Sequence, residues 1–409
     1  IIDFVEQSGG DYIIGNVNDA EAVADFAAKN AIDYAFVSAD DPLANGVVDA
    51  MLDKNIKAVG GTKAATKIEW DKIYSIEMMQ KVCPDFNPFY QIISSKNDID
   101  LALQSFKNKS MQVVVKPQGL TGGKGVKVMP EHLKTYEDCA DYAEQLLAKS
   151  PNEKVLFVEK LQGIEFTIMG LTDGENLVLA NASYDYPFRF ENDLGAGTGG
   201  MGCFTGNEKK LPFMSAKDLQ DCQDIMQKII GQMSAEGLNF SGVLNGGFFK
   251  TKDGIKFMEF NGRFGDPESL NILTILESSF AQLIRNMWHK NLSASAVNFR
   301  KKASVVKYLV AKEYPQASSD ATIFSLDEKA ISALGVSIFC ASAIKTADGN
   351  YQTLKKSRAI AFGATADNIA AAGDLVNQAI EKFVVADLEY RKDIGSKENL
   401  DKLLSYKFD

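Results

Sequence analysis

The run Val113-Val114-Val115-Lys116-Pro117-Gln118-Gly119-Leu120-Thr121-Gly122-Gly123-Lys124-Gly125-Val126 sets an apolar stretch, a cation, a glycine-rich turn and a second cation in close succession. Glycines without a Cβ let backbone N–H groups approach an anion, and two ammonium groups add charge. A triphosphate is a natural guest. The run is distinct from a Walker A loop, which needs a glycine where Gln118 stands and Ser or Thr where Gly125 follows Lys124. A flexible hairpin with two solvated lysines would read the same way from this segment alone.

A second run, Ile255-Lys256-Phe257-Met258-Glu259-Phe260-Asn261-Gly262-Arg263-Phe264-Gly265-Asp266-Pro267-Glu268, carries oxygen ligands. Strand alternation predicts Phe257, Glu259 and Asn261 on one face, with the Cα atoms of the last two roughly 7 Å apart. A carboxylate and an amide oxygen so spaced suit a hard cation, since Mg²⁺ combines few protein oxygens with phosphate oxygens and water. Gly246-Gly247 on the preceding strand would leave space for a ligand. Arg263 could hold a phosphate or carboxylate through two of its guanidinium nitrogens. The plainer alternative is a solvent-facing strand end closed by Arg–Asp pairs.

Two further segments are weaker alone. Val158-Glu159-Lys160-Leu161-Gln162-Gly163-Ile164-Glu165-Phe166 leaves one strand, turns and enters another. Such a linker can offer backbone groups to adenine, with a carboxylate just beyond for ribose hydroxyls, although many links are only links. Asp193-Leu194-Gly195-Ala196-Gly197-Thr198-Gly199-Gly200-Met201-Gly202 satisfies G-x-G-x-x-G, but no buried strand precedes it and no helix signal follows. It reads as a loop closing over a substrate, or as a mobile surface loop, and a Rossmann dehydrogenase is a distant reading.

The elements that must position these residues fall into three units. Residues 1–85 alternate helix and strand signals: Asn18-Asp19 caps a helix, 33–38 and 56–59 read as strands, and a helix runs near 63–82. That rhythm implies a parallel sheet covered by helices. Residues 86–300 form the second unit, with a small lobe at about 107–172. Strands are expected at 111–116, 125–129, 155–159, 165–171, 176–182, 242–250 and 255–261, with hairpin signals at Asp173-Gly174 and Asp253-Gly254. A capping-box pattern opens a helix near Thr135, and helices are expected near 216–236 and 267–290. Residues 301–409 form an α+β unit with strands near 304–311, 336–343 and 359–362. The three are expected to pack into one body.

Composition narrows the function. A length of 409 residues with 45% apolar and 24% charged residues fits a soluble multidomain protein with a sizeable core. The net charge of −10 opposes nonspecific binding to nucleic acid or anionic membranes, and no apolar run approaches the roughly 18 residues of a spanning helix. Five scattered cysteines without a CxxC pair argue against a disulfide scaffold or zinc ribbon and for a reducing cytoplasm. With His132 and His289 the only histidines, multi-histidine chemistry is nearly excluded. The opening Ile1-Ile2-Asp3-Phe4-Val5-Glu6 resembles the interior of a longer chain and not a signal peptide.

In this order the four segments resemble the ATP-grasp ligases and, within them, the phosphoribosylamine–glycine ligase family of purine biosynthesis. The family's glycine-rich lysine segment matches 113–126, its adenine linker 158–166, its T-G-G-M-G loop 198–202 and its E-F-N-x-R-F-G-D-P-E signature 259–268. The likeness extends to Pro42-Leu43, Glu313-Tyr314-Pro315 and Tyr390-Arg391-Lys392-Asp393-Ile394-Gly395, though the family's first strand and glycine-rich turn are missing. It implies an ATP-grasp fold between a truncated preATP-grasp α/β domain and a C-terminal α+β domain. The implied reaction is ATP-dependent ligation of glycine to 5-phosphoribosylamine through an acyl phosphate, giving glycinamide ribonucleotide, ADP and phosphate.

The resemblance also implies roles. Lys72, Lys116 and Lys124, with Gly122 and Gly123, contact nucleotide phosphates; Glu159 and Leu161 lie at the adenine linker; Glu165 takes the ribose. Glu259 and Asn261 hold Mg²⁺ or Mn²⁺. Arg263 stabilises the transferring phosphoryl group, with Lys124 as its catalytic companion. Asp185, Asp193, Thr198, Gly199, Gly200 and Asp266 face the substrates. One departure is pointed: Tyr184-Asp185-Tyr186-Pro187 stands where the family has Q-D-H-K, losing a His and a Lys, and Arg189 is expected to supply the missing cation. Ser38-Ala39-Asp40-Asp41 and Gly197 also depart from the family pattern. A carboxylate–amine ligase with a different amine, or a nonenzymatic nucleotide-binding regulator, are the alternatives. The expected setting is a cytoplasmic monomer or homodimer acting on small molecules, without nucleic acid or membrane partners.

Overall fold

The computed structural model describes residues 5–6, 8–119, 125–150, 152–318, 320–355 and 357–408. At the N-terminal end, Asp19 caps the helix Ala20–Lys29 by accepting from the Ala22 N–H at 3.1 Å. The strand Tyr34–Phe36 pairs in parallel with Lys57–Gly61 across the helix Val47–Asp53, as the βα rhythm predicts. Lys57–Gly61 then pairs antiparallel with the start of Phe240–Thr251. One sheet therefore continues from the N-terminal unit through Phe240–Thr251, Ile164–Thr172, Ser183–Asp185 and Gly202–Thr205. It runs on into Ala303–Leu309, Ile360–Ala366 and Val336–Cys340 of the C-terminal unit. Backbone hydrogen bonding, and not only side-chain packing, joins the three units.

A separate antiparallel sheet, ordered Tyr90–Ile93, Val155–Glu159, Val113–Pro117, Lys127–Val128, stands over the central one. The helices Lys96–Asn108 and Tyr136–Leu147 cover it, each opened by a capping box, Ser95 with Asp98 and Thr135 with Asp138. Its own core contains Ile93, Leu103, Phe106, Val115 and Phe157. The small lobe thus begins at Tyr90, earlier than the expected 107. It ends at Glu159, because Ile164–Thr172 belongs to the central sheet. Two expected helices are each split. Asp71 interrupts the first and caps Lys72–Val82 by accepting from Ile73 and Tyr74 N–H groups; Ser279 caps Phe280–Trp288 after Glu268–Ile275 ends. Among the described residues no helix is long and apolar enough to cross a membrane.

The C-terminal unit buries one lysine completely. Lys307 donates to Asn377 Oδ1 at 2.7 Å and to the Lys392 carbonyl at 2.9 Å, and burial pushes its ammonium down to about 7. The unfolded chain keeps that proton to about pH 10, so between pH 7 and 10 Lys307 is protonated in the unfolded chain more than in the folded one, and its own contribution to stability becomes more favourable as pH rises. Comparing wild type with Lys307→Met by denaturant unfolding across pH 6–10, the wild type should gain on the order of a few kcal/mol relative to the variant. Parallel curves would show that Lys307 is charged throughout.

Candidate active site

The oxygen-bearing strand Gly254–Asn261 is not regular. Gly247 pairs with Glu259 and Phe248 with Phe257, so Met258 is an extra residue, a β-bulge. The bulge reverses the alternation. Phe257 joins Ile255 and Phe260 in the core, while Glu259 and Asn261 face the cleft; the expectation that Phe257 shares their face is corrected. The bulge also exposes the Met258 carbonyl, which accepts from Lys116 Nζ at 3.4 Å.

Glu259 and Asn261 stand on a wall common to two cavities. The larger, about 1100 Å³, lies between the small sheet and the strand Gly254–Asn261, and Lys72, Lys116, Val158, Thr198 and Gly199 help line it. The smaller, about 500 Å³, lies over the central sheet and is lined by Glu165, Asp185, Asp193 and Glu268. Arg263 and Asp266 border both. Lys72 Nζ donates at 2.8 Å to the carbonyl of Gly119, at the entry to the glycine-rich turn, and burial holds its ammonium below the usual lysine range. The expected phosphate contacts Gly122, Gly123 and Lys124 lie outside the described residues.

Arg263 is fixed from two sides. Its Nη1 donates to the Phe264 carbonyl at 2.9 Å and Nη2 to Asn261 Oδ1 at 3.4 Å, while Nε lies 3.2 Å from Glu69 Oε1. The other Glu69 oxygen accepts from Gly262 N–H at 2.8 Å. Burial lifts Glu69 to about 7 even though Arg263 pulls it down. This carboxylate from the N-terminal unit went unnoticed in the sequence, where Ile68-Glu69-Trp70 shows only a helical glutamate.

Carboxylates crowd the smaller cavity. Burial, reinforced by Glu259, pushes Glu165 up to about 7 although its side chain opens onto the cavity. Burial and Glu268 push Asp185 well above the carboxylate range, and burial also raises Glu268, whose Oε1 accepts from Thr167 Oγ1 at 3.2 Å. Asn245, opposite Asn261 in the ladder, has a buried Oδ1 that accepts no hydrogen bond. Too many oxygens for the protein's own cations is the signature of a site built to receive positive charge. Among the described residues no three acidic, Cys or His side chains form a cage. A divalent ion here would share Glu259 and Asn261 with ligand oxygens, which is how Mg²⁺ is commonly held.

The glycine loop is tied to the C-terminal unit. Thr198 Oγ1 donates to the Pro187 carbonyl at 2.8 Å and accepts from Gly200 N–H at 3.1 Å. The segment Leu194–Gly197 is a strand paired with Phe188–Phe190, so G-x-G-x-x-G here forms no dinucleotide turn. Asp193 is bound by Arg391 Nη1 at 2.9 Å, and Asp266 by Arg358 at 2.7 Å and the Tyr308 hydroxyl at 2.9 Å.

Three expected residues stand apart from the cavities. Arg189 is buried between Phe188 and Phe190 and turned toward the C-terminal unit. There its Nη2 meets Glu389 Oε2 at 2.6 Å and its Nε donates to the Tyr314 carbonyl at 2.8 Å. The expectation that Arg189 offers a substrate cation is thus not met: strand alternation points it inward, where its charge is already satisfied. Glu159 and Leu161 line neither cavity; the Glu159 N–H is spent on the Phe89 carbonyl at 2.9 Å. Tyr186, where the family has histidine, turns into the core against Tyr184 and Phe204, under the Arg391 guanidinium at 4.8 Å. Pro187 borders the smaller cavity.

Comparisons with known proteins agree with the fold. Residues 71–269 match the family described as phosphoribosylglycinamide synthetase, ATP-grasp (A) domain; residues 6–69 match its N domain and 304–397 its C domain. The phosphoribosylamine–glycine ligase of Pyrococcus furiosus is 36% identical over 392 residues, which span 96% of this chain and 86% of that protein. Its counterpart from Methanocaldococcus jannaschii is 36% identical over 386 residues, 94% and 86% of the two chains. The crystal structure of the Thermotoga maritima phosphoribosylamine–glycine ligase shares the fold with a TM-score of 0.77 at 21% identity, covering 96% of this chain and 91% of that one. The biotin carboxylase domain of Hydrogenobacter thermophilus 2-oxoglutarate carboxylase, solved with MgADP and bicarbonate, does so at 0.66 and 14% identity over 98% and 84%. With all three domains matched and relatives above one-third identity over nearly its whole length, the chain belongs to the phosphoribosylglycinamide synthetase family of ATP-grasp ligases.

Proposed function

We infer that this chain ligates glycine to 5-phosphoribosylamine at the expense of ATP, through an acyl phosphate, releasing glycinamide ribonucleotide, ADP and phosphate. The observation that carries the reading is the wall of Glu259, Asn261, Arg263 and Asp266 between a lysine-bearing cleft and a carboxylate-lined cavity. A phosphoryl group must pass between a nucleotide on one side and a carboxylic acid on the other, and a shared wall serves both.

A free carboxylate resists attack by an amine because oxide leaves poorly; phosphorylation supplies a better leaving group. Lys72 and Lys116, with Lys124, hold the nucleotide phosphates by charge, while Glu165, expected at the ribose, lines the smaller cavity and not the nucleotide cleft and so belongs to the acid's side. Mg²⁺ or Mn²⁺, when bound by Glu259 and Asn261, would neutralise the phosphate oxygens. Arg263, fixed by Glu69 and Phe264, presents its cation to the equatorial oxygens of the transferring group. Glycine brings an ammonium along with its carboxylate, and Asp185 with Glu268 forms an anionic seat whose raised protonation would fall once that ammonium arrives. No side chain need become covalently modified. The work is positioning and charge. The setting is the cytoplasm, as a monomer or homodimer.

Tyr186 turned into the core and Arg189 already paired favour one second reading, a ligase for the same acid and a different amine. Measuring ADP release with each component omitted in turn, and weighing the product by mass spectrometry, tests both. Turnover that needs ATP, glycine and phosphoribosylamine together is expected. Turnover with glycine and another amine, but none with phosphoribosylamine, would transfer the assignment to the second reading.

A further inference from the structure

Arg358 lies just before the strand Ile360–Ala366, in a sequence context, Lys355-Lys356-Ser357-Arg358, that suggests only a basic surface turn. Its side chain is nonetheless 11% exposed and fully engaged. Nη1 donates to the carbonyls of Gly199 at 2.6 Å and Gly200 at 3.0 Å; Nη2 donates to Asp266 Oδ2 at 2.7 Å. The guanidinium lies 4.4 Å over the ring of Tyr308, whose hydroxyl donates to the other Asp266 oxygen at 2.9 Å. Tyr314 completes the set by accepting from Gly199 N–H at 3.2 Å.

These contacts join three separate parts of the chain: the glycine loop, Asp266 of the signature run, and the C-terminal unit. Both carbonyls and both N–H groups of Gly199-Gly200 are thereby used within the protein. The loop's shape is then set from the C-terminal side. Gly200 in turn packs on Asp185: an added Cβ would lie 2.7 Å from Asp185 Oδ1. A planar, forked cation can reach two carbonyls and a carboxylate at once; a lysine ammonium can supply the charge but not the fork.

We propose that Arg358 is a positioning residue that, through Gly200 against Asp185 and through Asp266, fixes the amino-acid end of the site, so that the C-terminal domain governs use of glycine more than binding of nucleotide, whose cleft the same loop borders at Thr198 and Gly199. The proposal rests on the ligase reading above. It is tested in the full chain with Arg358→Ala, Arg358→Lys and Tyr314→Phe. The readouts are steady-state kinetics with each substrate varied, ADP affinity by calorimetry, and thermal unfolding. Arg358→Ala should lower kcat/KM for glycine by roughly 10- to 100-fold, since small misplacement of a reacting group is costly. ADP affinity should stay near wild type. Arg358→Lys should recover part of the loss, and Tyr314→Phe should move the same parameter less. Should Arg358→Ala not fold, the other two variants decide by themselves. Equal losses for glycine and ATP, weakened ADP binding, or wild-type glycine kinetics in the variants that fold would overturn the clamp. Wild-type protein without glycine-dependent turnover would instead remove the ligase reading, and the clamp's role with it.

Discussion

Glu259→Gln should lower turnover at saturating ATP and glycine by roughly 100-fold at ordinary Mg²⁺, with partial recovery as the metal is raised. The substitution keeps shape and removes charge, so it asks only about the cation. Glu259 faces the cleft because the bulge at Met258 turns it away from Phe257 and Phe260, which fill the core beneath. Unfolding of the ligand-free variant should therefore match wild type or be slightly more favourable to the fold, because one of the charges lifting Glu165 and Glu69 is gone. A metal titration of activity beside a thermal melt separates the two roles. An unshifted metal requirement together with a lowered melting temperature would make Glu259 a structural residue.

Local chemistry made much of the fold legible. Asp173-Gly174 and Asp253-Gly254 are hairpin turns because each glycine adopts a positive φ, +91° and +103°, that the turn demands. Thr135 with Asp138 caps its helix through contacts three residues apart. What sequence hid depends on distant partners. The bulge at Met258 is set by its pairing with Gly247 and Phe248, so alternation counted along one strand misplaces Phe257. Arg189 looked available because Glu389, its partner, lies far along the chain. Glu69 and Arg358 each act through contacts with the signature run from another unit, and nothing adjacent to either marks it. The motif residues themselves were visible, since ligand chemistry limits their types. The side chains that orient them were not, since packing selects those.

Gly200→Ala should cripple use of glycine with a single added methyl. Gly200 has φ +97°, where an L-residue is strained, and an added Cβ would meet Pro267 Cδ at 2.6 Å and Asp185 Oδ1 at 2.7 Å. Backbone strain alone costs roughly 1–2 kcal/mol. The clash must then be relieved, and each way out harms function. Either Asp185 swings from the cavity it lines, or the loop lifts and strains its Arg358 contacts. Gly199 provides the contrast within the same loop. A Cβ there would find its nearest neighbours at 3.5 Å, an ordinary contact with the Arg358 guanidinium. Gly200→Ala is therefore expected to cut kcat/KM for glycine by roughly 100-fold, and Gly199→Ala by far less. Gly200→Ala should not weaken ADP binding greatly, because Gly200, unlike Gly199, does not line the nucleotide cleft and the lysines that do are on other elements. Kinetics with glycine varied, set beside ADP calorimetry for both variants, decides the matter. If the two alanines proved equally harmful, loss of loop flexibility and not displacement of Asp185 would be the cause; if both were harmless, the loop would not shape the amino-acid site.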